Sequence, residues 1–369
     1  MEAITIERGT AYALFVYDIA LSINLDEAER LITTVTQRES LKHKRPAPPY
    51  FEYRPAPVRF TQEAESLSLG NYRSQTSVDL VLYDFGAVLV SYRIPLEGPF
   101  SHLFNLSEEL YDNALLLSDS RLRVEQLVTI IQSALTKSEI SDLVEDYVIF
   151  HIEALHPACS PEELCATHGQ EIARILRAER QTLSTQEVQD ALSHRLAFGL
   201  HDFIIVDWFA ALMVDRQGDD VRSVLEFANV ELLEMRYLDQ RLDDALDRSY
   251  QVLSRRLWGP LQIRGSYRRD LRRVARLQAD NAVLFEGVNN ALKLLGDQYL
   301  ARVYRQVSQR FHLAEWDASI LRKLQTLESI YEKMADQAAT HRMELLEWII
   351  IILIAAEIFL SLVPSGIRH

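Results

Sequence analysis

The sequence predicts an α+β fold: two similar β-α-β-β-α halves, a long antiparallel helical stalk and a C-terminal transmembrane helix. Three observations carry this. Residues 79–93 and 202–216 are two matching apolar blocks. Beyond residue 219 the apolar residues recur at helical spacing. Residues 348–363 form a run of sixteen with one charge, Glu357. The divisions are 1–118 for the first half, 119–218 for the second, 219–343 for the stalk and 344–363 for the anchor.

In the first half, an apolar segment at 11–20 precedes an acidic helix start at 25–36. The block DLVLYDFGAVLVSYR then reads as two short strands with a turn near the middle. In the second half, an apolar segment at 146–155 precedes a helix over 161–177. Ser160 is placed to cap that helix, and Pro161 occupies its first position, where a missing N–H costs nothing. The block DFIIVDWFAALMVDR follows. Without gaps, Asp79, Asp84, Ala87, Leu89 and Arg93 meet Asp202, Asp207, Ala210, Leu212 and Arg216. This is the signature of a duplication, with the halves expected to pack sheet edge to sheet edge. Only the first half carries a proline-rich stretch, residues 41–58, with Pro46, Pro48, Pro49, Pro55 and Pro57. It reads as a rigid surface loop before it reads as a docking arm.

The stalk is read as helix 221–257, a break at 258–266 holding Gly259, Pro260 and Gly265, helix 267–295, and a third helix over 298–342. Leu321, Leu324, Leu327, Ile330, Tyr331 and Met334 space one buried seam along the third helix. The turn between the first two holds Arg248, Arg255, Arg256, Arg264, Arg268, Arg269, Arg272, Arg273 and Arg276 against Asp270 alone. An antiparallel hairpin sets these arginines beside one another rather than beside the acids at the start of the first helix. Arginine clusters of this kind favour phosphate, so the expected partner is anionic, RNA or the ribosome; lipid headgroups and a plain solvated face are the alternatives.

The terminal run approaches the ~20 apolar residues that cross a hydrocarbon layer. Trp348 suits the interfacial boundary, and Glu357 with Ser361 one turn on suits a helix–helix contact in a homo-oligomer. Near the N-terminus, Glu2 and Glu7 outnumber Arg8, unlike a secretory or mitochondrial presequence. The expectation is a tail-anchored protein of a cell inner membrane with its bulk on the cytoplasmic side.

Composition bears on function mainly by exclusion. The 39 basic and 53 acidic residues give a net charge of −14, unlike a general nucleic-acid coat. Two cysteines exclude a disulfide scaffold. No P-loop, G-x-G-x-x-G, G-x-S-x-G or H-E-x-x-H is present, and no cofactor or small-molecule substrate is predicted. Asp84-Phe85-Gly86 matches a kinase triplet without the rest of a kinase. His156, Cys159, Cys165 and His168 give His-x2-Cys-x5-Cys-x2-His, ligand types that suit zinc but at an unusual central spacing. The reading is therefore a scaffold without catalytic residues. The alternative is an enzyme using Asp84 and Asp207 as paired carboxylates between the halves.

Three segments resemble the required-for-meiotic-nuclear-division family, a domain of unknown function. They are HRMELLEWIIIILIAAE at 341–357, VLYDFGAVLV at 81–90 and LEFANVELLEMR at 225–236. The similarity spans roughly residues 75–365 and is weakest over about 120–200. It implies membrane association, homo-oligomerisation and support of translation, and the lack of a presequence suggests a bacterial member. No catalytic residue is established for that family, so none is carried over.

Overall fold

Strand β1 (Thr5–Asp18) is buried on both faces from Ala11 onward. In the computed structural model it lies at the middle of a nine-stranded sheet, which explains why it lacks an alternating polar face. The structure describes residues 4–32, 36–38, 55–199, 202–256, 275 and 298–362. Most of the proline-rich stretch falls outside them.

The remaining strands of the sheet are β3 (Thr36–Arg38), β4 (Val58–Glu63), β7 (Ser77–Leu82), β8 (Ala87–Pro99), β10 (Val144–His156), β11 (Arg195–Ala197), β12 (Phe203–Val206) and β13 (Ala210–Val214). Short strands β2 (Ser22–Ile23) and β9 (Leu135–Thr136) pair with each other, as do β5 (Ser68–Leu69) and β6 (Tyr72–Arg73). The order across the large sheet is β11-β12-β13-β10-β1-β8-β7-β4-β3. The two halves meet at the antiparallel β1–β10 pair, so they share one sheet and one core.

Outward from that seam the two blocks run in the same order: first strand, then hairpin. Their senses differ. β8 is antiparallel to β1, whereas β13 is parallel to β10. The aligned hairpins therefore occupy matching places with opposite direction relative to the strand beside them.

Six helices accompany these strands. They are α1 (Leu25–Leu31), α2 (His102–Leu110), α3 (Ala114–Ile130), α4 (Pro161–Arg177), α5 (Thr185–Ala191) and α6 (Asp219–Arg256). Helix α4 begins at a full capping box: Ser160 Oγ accepts from the Glu163 N–H, and Glu163 accepts from the Ser160 N–H. Helix α3 covers one face of the sheet, where Tyr17 bonds Ser120 and Tyr92 donates to Asp119. Helix α6 covers the other, where Arg222 lies over the Tyr12 ring. At the β7–β8 turn Gly86 has φ +109°, and an added Cβ would sit 1.8 Å from the Ala20 carbonyl oxygen. Asp84-Phe85-Gly86 is thus a turn built on a close backbone approach.

Among the described residues, two further helices are α7 (Gln298–Arg310) and α8 (Leu313–Leu362). They divide the expected third stalk helix at Phe311 and His312. The chain forms two compact units: Met1–Asp239 with Ala282–Ala318, and Gln240–Asn281 with Ser319–His369. Within the second, Leu242 and Ala245 of α6 and Ile320, Leu327 and Ile330 of α8 are buried, and Lys323 reaches Asp243 at 2.6 Å. Leu321 of the expected seam is exposed and Ile320 takes its place.

The transmembrane expectation is overturned. Among the described residues, no helix is long and apolar enough to cross a membrane. The run is bounded by Glu347 and broken by Glu357, which leaves only the nine uncharged residues 348–356 between the two acids. The anchor at 344–363 and the tail-anchored inner-membrane location fall with it. Trp348 lies in α8 with 63% of its surface exposed, and Glu357 and Ser361 are helical, their side chains outside the described residues.

Candidate functional site

The β12–β13 turn places one acid at the centre of a charged node. Asp207 ends the apolar run of β12, and its Oδ1 accepts from the Trp208 N–H at 2.8 Å, which holds the turn. Its carboxylate has no solvent exposure. Two arginines neutralise it: Arg177, from the last turn of α4, donates from Nε to Oδ2 at 2.8 Å, and Arg310, from the end of α7, donates from Nε to Oδ1 at 2.8 Å. Both guanidinium groups also reach Asp190 of α5, at 2.6 and 2.9 Å. The hydrogen bond from Arg310 holds the Asp190 carboxyl below the ordinary range. Four charges on four elements thus close a ring.

Beside this node lies an open groove of about 590 Å³. Ala301, Tyr304, Arg305, Ser308 and Gln309 recur along one face of α7 and form one wall. His194 faces them, and His312, Ala314 and Glu315 close the end. His312 has φ +52°, a conformation L-residues seldom adopt. Its ring stacks on Trp208 with centroids 5.2 Å apart and planes at 25°. Its Nδ1 lies 3.3 Å from Glu315, which draws that carboxyl below its usual range. His194 Nδ1 is shielded from solvent and has no hydrogen-bond partner among the described residues. Deeper in, Tyr304 donates to Glu231 at 2.6 Å, and burial pushes the Glu231 carboxyl up to about 8.

Of the expected carboxylate pair, only Asp207 belongs to this site. Asp84 sits in the β7–β8 turn, and strands β10 and β1 lie between the two hairpins. At ~4.8 Å per strand, β13 and β8 are ~14 Å apart, too far for the two acids to act on one bond. Asp207 is also fully engaged by arginine. The paired-carboxylate site is therefore not formed.

The zinc constellation does not assemble either. Among the described residues no group of three or more His, Cys, Asp or Glu side chains is placed to hold a metal ion. His156 ends β10 with Nδ1 3.7 Å from Glu7, and His168 on α4 bonds Glu171 at 2.8 Å. Cys159 and Cys165 pack against the core, where burial raises both thiols. Of the arginine cluster, Arg255 and Arg256 end α6 with side chains outside the described residues. Arg264, Arg268, Arg269, Arg272, Arg273 and Arg276 lie outside them entirely.

A second charged layer lies between the sheet and α6. Arg59 and Arg222 both face the buried Glu226, while Arg93 donates to Asp79 at 2.9 Å and Thr61 donates to Asp79 at 2.8 Å. Further along α6, burial beside Asp18 pushes the Glu234 carboxyl well above its usual range. Arg59, Asp79, Arg222, Glu226 and Glu234 are buried, and the Arg59–Glu226 contact ties the sheet to α6.

Sequence reading missed Arg177, Arg310, His312 and Trp208. The only trace was the doublet Asp207-Trp208, a charged and a large aromatic residue at a turn. Arg310 and His312 fell inside what read as one continuous helix.

A family model described as "Uncharacterized protein MJ0711, N-terminal domain" matches residues 8–220, more than half of the chain. The chain belongs to this family. It is 24% identical over 308 residues to "Uncharacterized protein MJ0711" of Methanocaldococcus jannaschii, a match covering 82% of this chain and 84% of that one. No solved structure matches. The family has no named catalytic function, and neither the required-for-meiotic-nuclear-division name nor a bacterial source emerges from these matches.

Proposed function

We propose that the protein is a scaffold that holds an anionic partner, with RNA the first candidate, rather than an enzyme. One observation carries this reading. Arg305 lines the groove with His194 and His312, and Arg302 is exposed one turn earlier on α7; neither has an ion-pair partner among the described residues, while the acids at the neighbouring node are already held by arginine. The site thus offers guanidinium groups not engaged by any described acid, within a chain of net charge −14. The resemblance to the required-for-meiotic-nuclear-division family supports a partner linked to translation. Self-association belongs to the same reading, and the exposed apolar residues 348–354 of α8 support it.

The test is fluorescence anisotropy of a labelled twelve-nucleotide single-stranded RNA across 50–200 mM salt. Binding should weaken as salt rises. Charge reversal at Arg302 and Arg305 should lower the salt slope by ~1.4, two single-strand phosphate contacts at ~0.7 each. Salt-independent binding, or none, rejects the proposal. Reversing Arg268, Arg269, Arg272 and Arg273 in parallel asks whether the arginine-rich segment shares the partner. Light scattering reads the self-association.

A further inference from the structure

We infer that the groove beside α7 is a pocket for one nucleotide unit, its base stacked on His312 and its phosphate held by Arg305. This rests on the anionic-partner reading and gives it a chemical identity. The volume of about 590 Å³ falls within the range of small-molecule sites. Ala301 and Ala314 leave the floor open, because neither fills it with a long side chain.

The flat surface comes from His312. One face of its ring lies on Trp208, and the residue also lines the groove, so a base can continue the stack on the groove side. The φ of +52° shows that the fold holds this residue in an uncommon backbone state at the α7–α8 junction. Base edges need both donors and acceptors, which Ser308, the Gln309 amide and the unpartnered His194 Nδ1 supply. Two charged side chains line the groove, Arg305 and Glu315. Glu315 faces His312, whereas Arg305 has no ion-pair partner among the described residues. A single guanidinium suits a phosphate monoester or diester attached to a larger group. A site for bare phosphate would converge several donors on one point.

A nucleotide unit can arrive free or within a single-stranded RNA, and the experiment separates the two. Adenosine monophosphate, adenosine, hexa-adenylate and inorganic phosphate are titrated into the full-length protein by calorimetry. The expected result is saturable binding of the monophosphate, weaker binding of adenosine, and no competition by phosphate at equal concentration. Arg305→Gln should weaken the monophosphate about tenfold while leaving adenosine unchanged. His312→Ala should weaken both by about tenfold, and His312→Phe should restore both, since either ring can stack. Unchanged thermal melts show that the variants fold.

Hexa-adenylate binding tenfold or more above the monophosphate assigns the pocket to an RNA strand. Equal affinity assigns it to a free nucleotide. Either result sustains the inference. Phosphate competing as well as the monophosphate overturns it while leaving the anionic-partner reading in place. So does salt-sensitive RNA binding with monophosphate titrations unaffected by Arg305→Gln and His312→Ala. Failure of RNA and all four titrants removes both readings.

Discussion

Arg310 and Asp207 are 103 residues apart in sequence, yet Nε and Oδ1 meet at 2.8 Å in a place almost closed to solvent. The contact ties the end of α7 to the β12–β13 turn, and Arg177 brings in α4. Removing one member of such a set leaves uncompensated charge in the interior. Asp207→Ala should therefore destabilise the protein by roughly 3–5 kcal/mol. Asp207→Asn, which keeps an acceptor in place, should cost less. Urea midpoints read both. A loss under ~1 kcal/mol for the alanine variant would show that the node contributes little to stability.

At the β7–β8 turn the backbone itself is the constraint. Gly86→Ala meets both a φ of +109° and the Ala20 carbonyl, so Ala20 or the hairpin must move. We expect a loss of more than ~3 kcal/mol, or insoluble protein. Wild-type thermal stability in a soluble Gly86→Ala variant would refute the close approach.

Glu231 makes stability depend on pH in a definite direction. Its carboxyl is raised to about 8 in the folded state, by burial first, against an ordinary value of 4.5. Between these values the folded chain binds more protons than the unfolded one, so stability falls as pH rises. The contribution is fully present below about pH 4.5 and is lost as pH climbs through about 8. Glu231→Gln can still accept from Tyr304 and should flatten this part of the profile, gaining on the order of 2–4 kcal/mol relative to wild type near pH 9. Melting temperatures from pH 5 to 9 test it, and identical slopes for the two proteins would reject it.

The α4 cap should give a smaller effect. Ser160→Ala removes one acceptor for the Glu163 N–H at an exposed helix start. The expected loss is ~1 kcal/mol, seen as a modest drop in urea midpoint with an unchanged slope. A loss above ~3 kcal/mol would mean that Ser160 serves more than a cap.

The features readable from sequence were those carried by local chemistry. The start of α4 at Ser160-Pro161 and the span of α6 follow from capping and helical spacing, which act within a few residues. The two hairpins also follow, because each is closed by its own turn. What did not follow was sense and neighbourhood. Nothing within 202–216 specifies that β13 runs parallel to β10, because that depends on the path of the intervening α4 and α5. The site was hidden for the same reason. His194, Asp207 and His312 come from three separate stretches, and only tertiary packing gathers them. The terminal run misled because its composition resembles a membrane span while Glu347 and Glu357 leave only nine uncharged residues between them.

The position of β1 also bears on biosynthesis. Its last residue, Asp18, leaves the ribosome early, yet one flanking neighbour, β10, is not complete until His156. At ~5–20 residues per second, that neighbour arrives roughly 7–28 seconds later. For that interval a two-sided apolar segment has an unclaimed edge, and the nascent polypeptide needs a chaperone or a transient partner to shield it from its neighbours on the polysome.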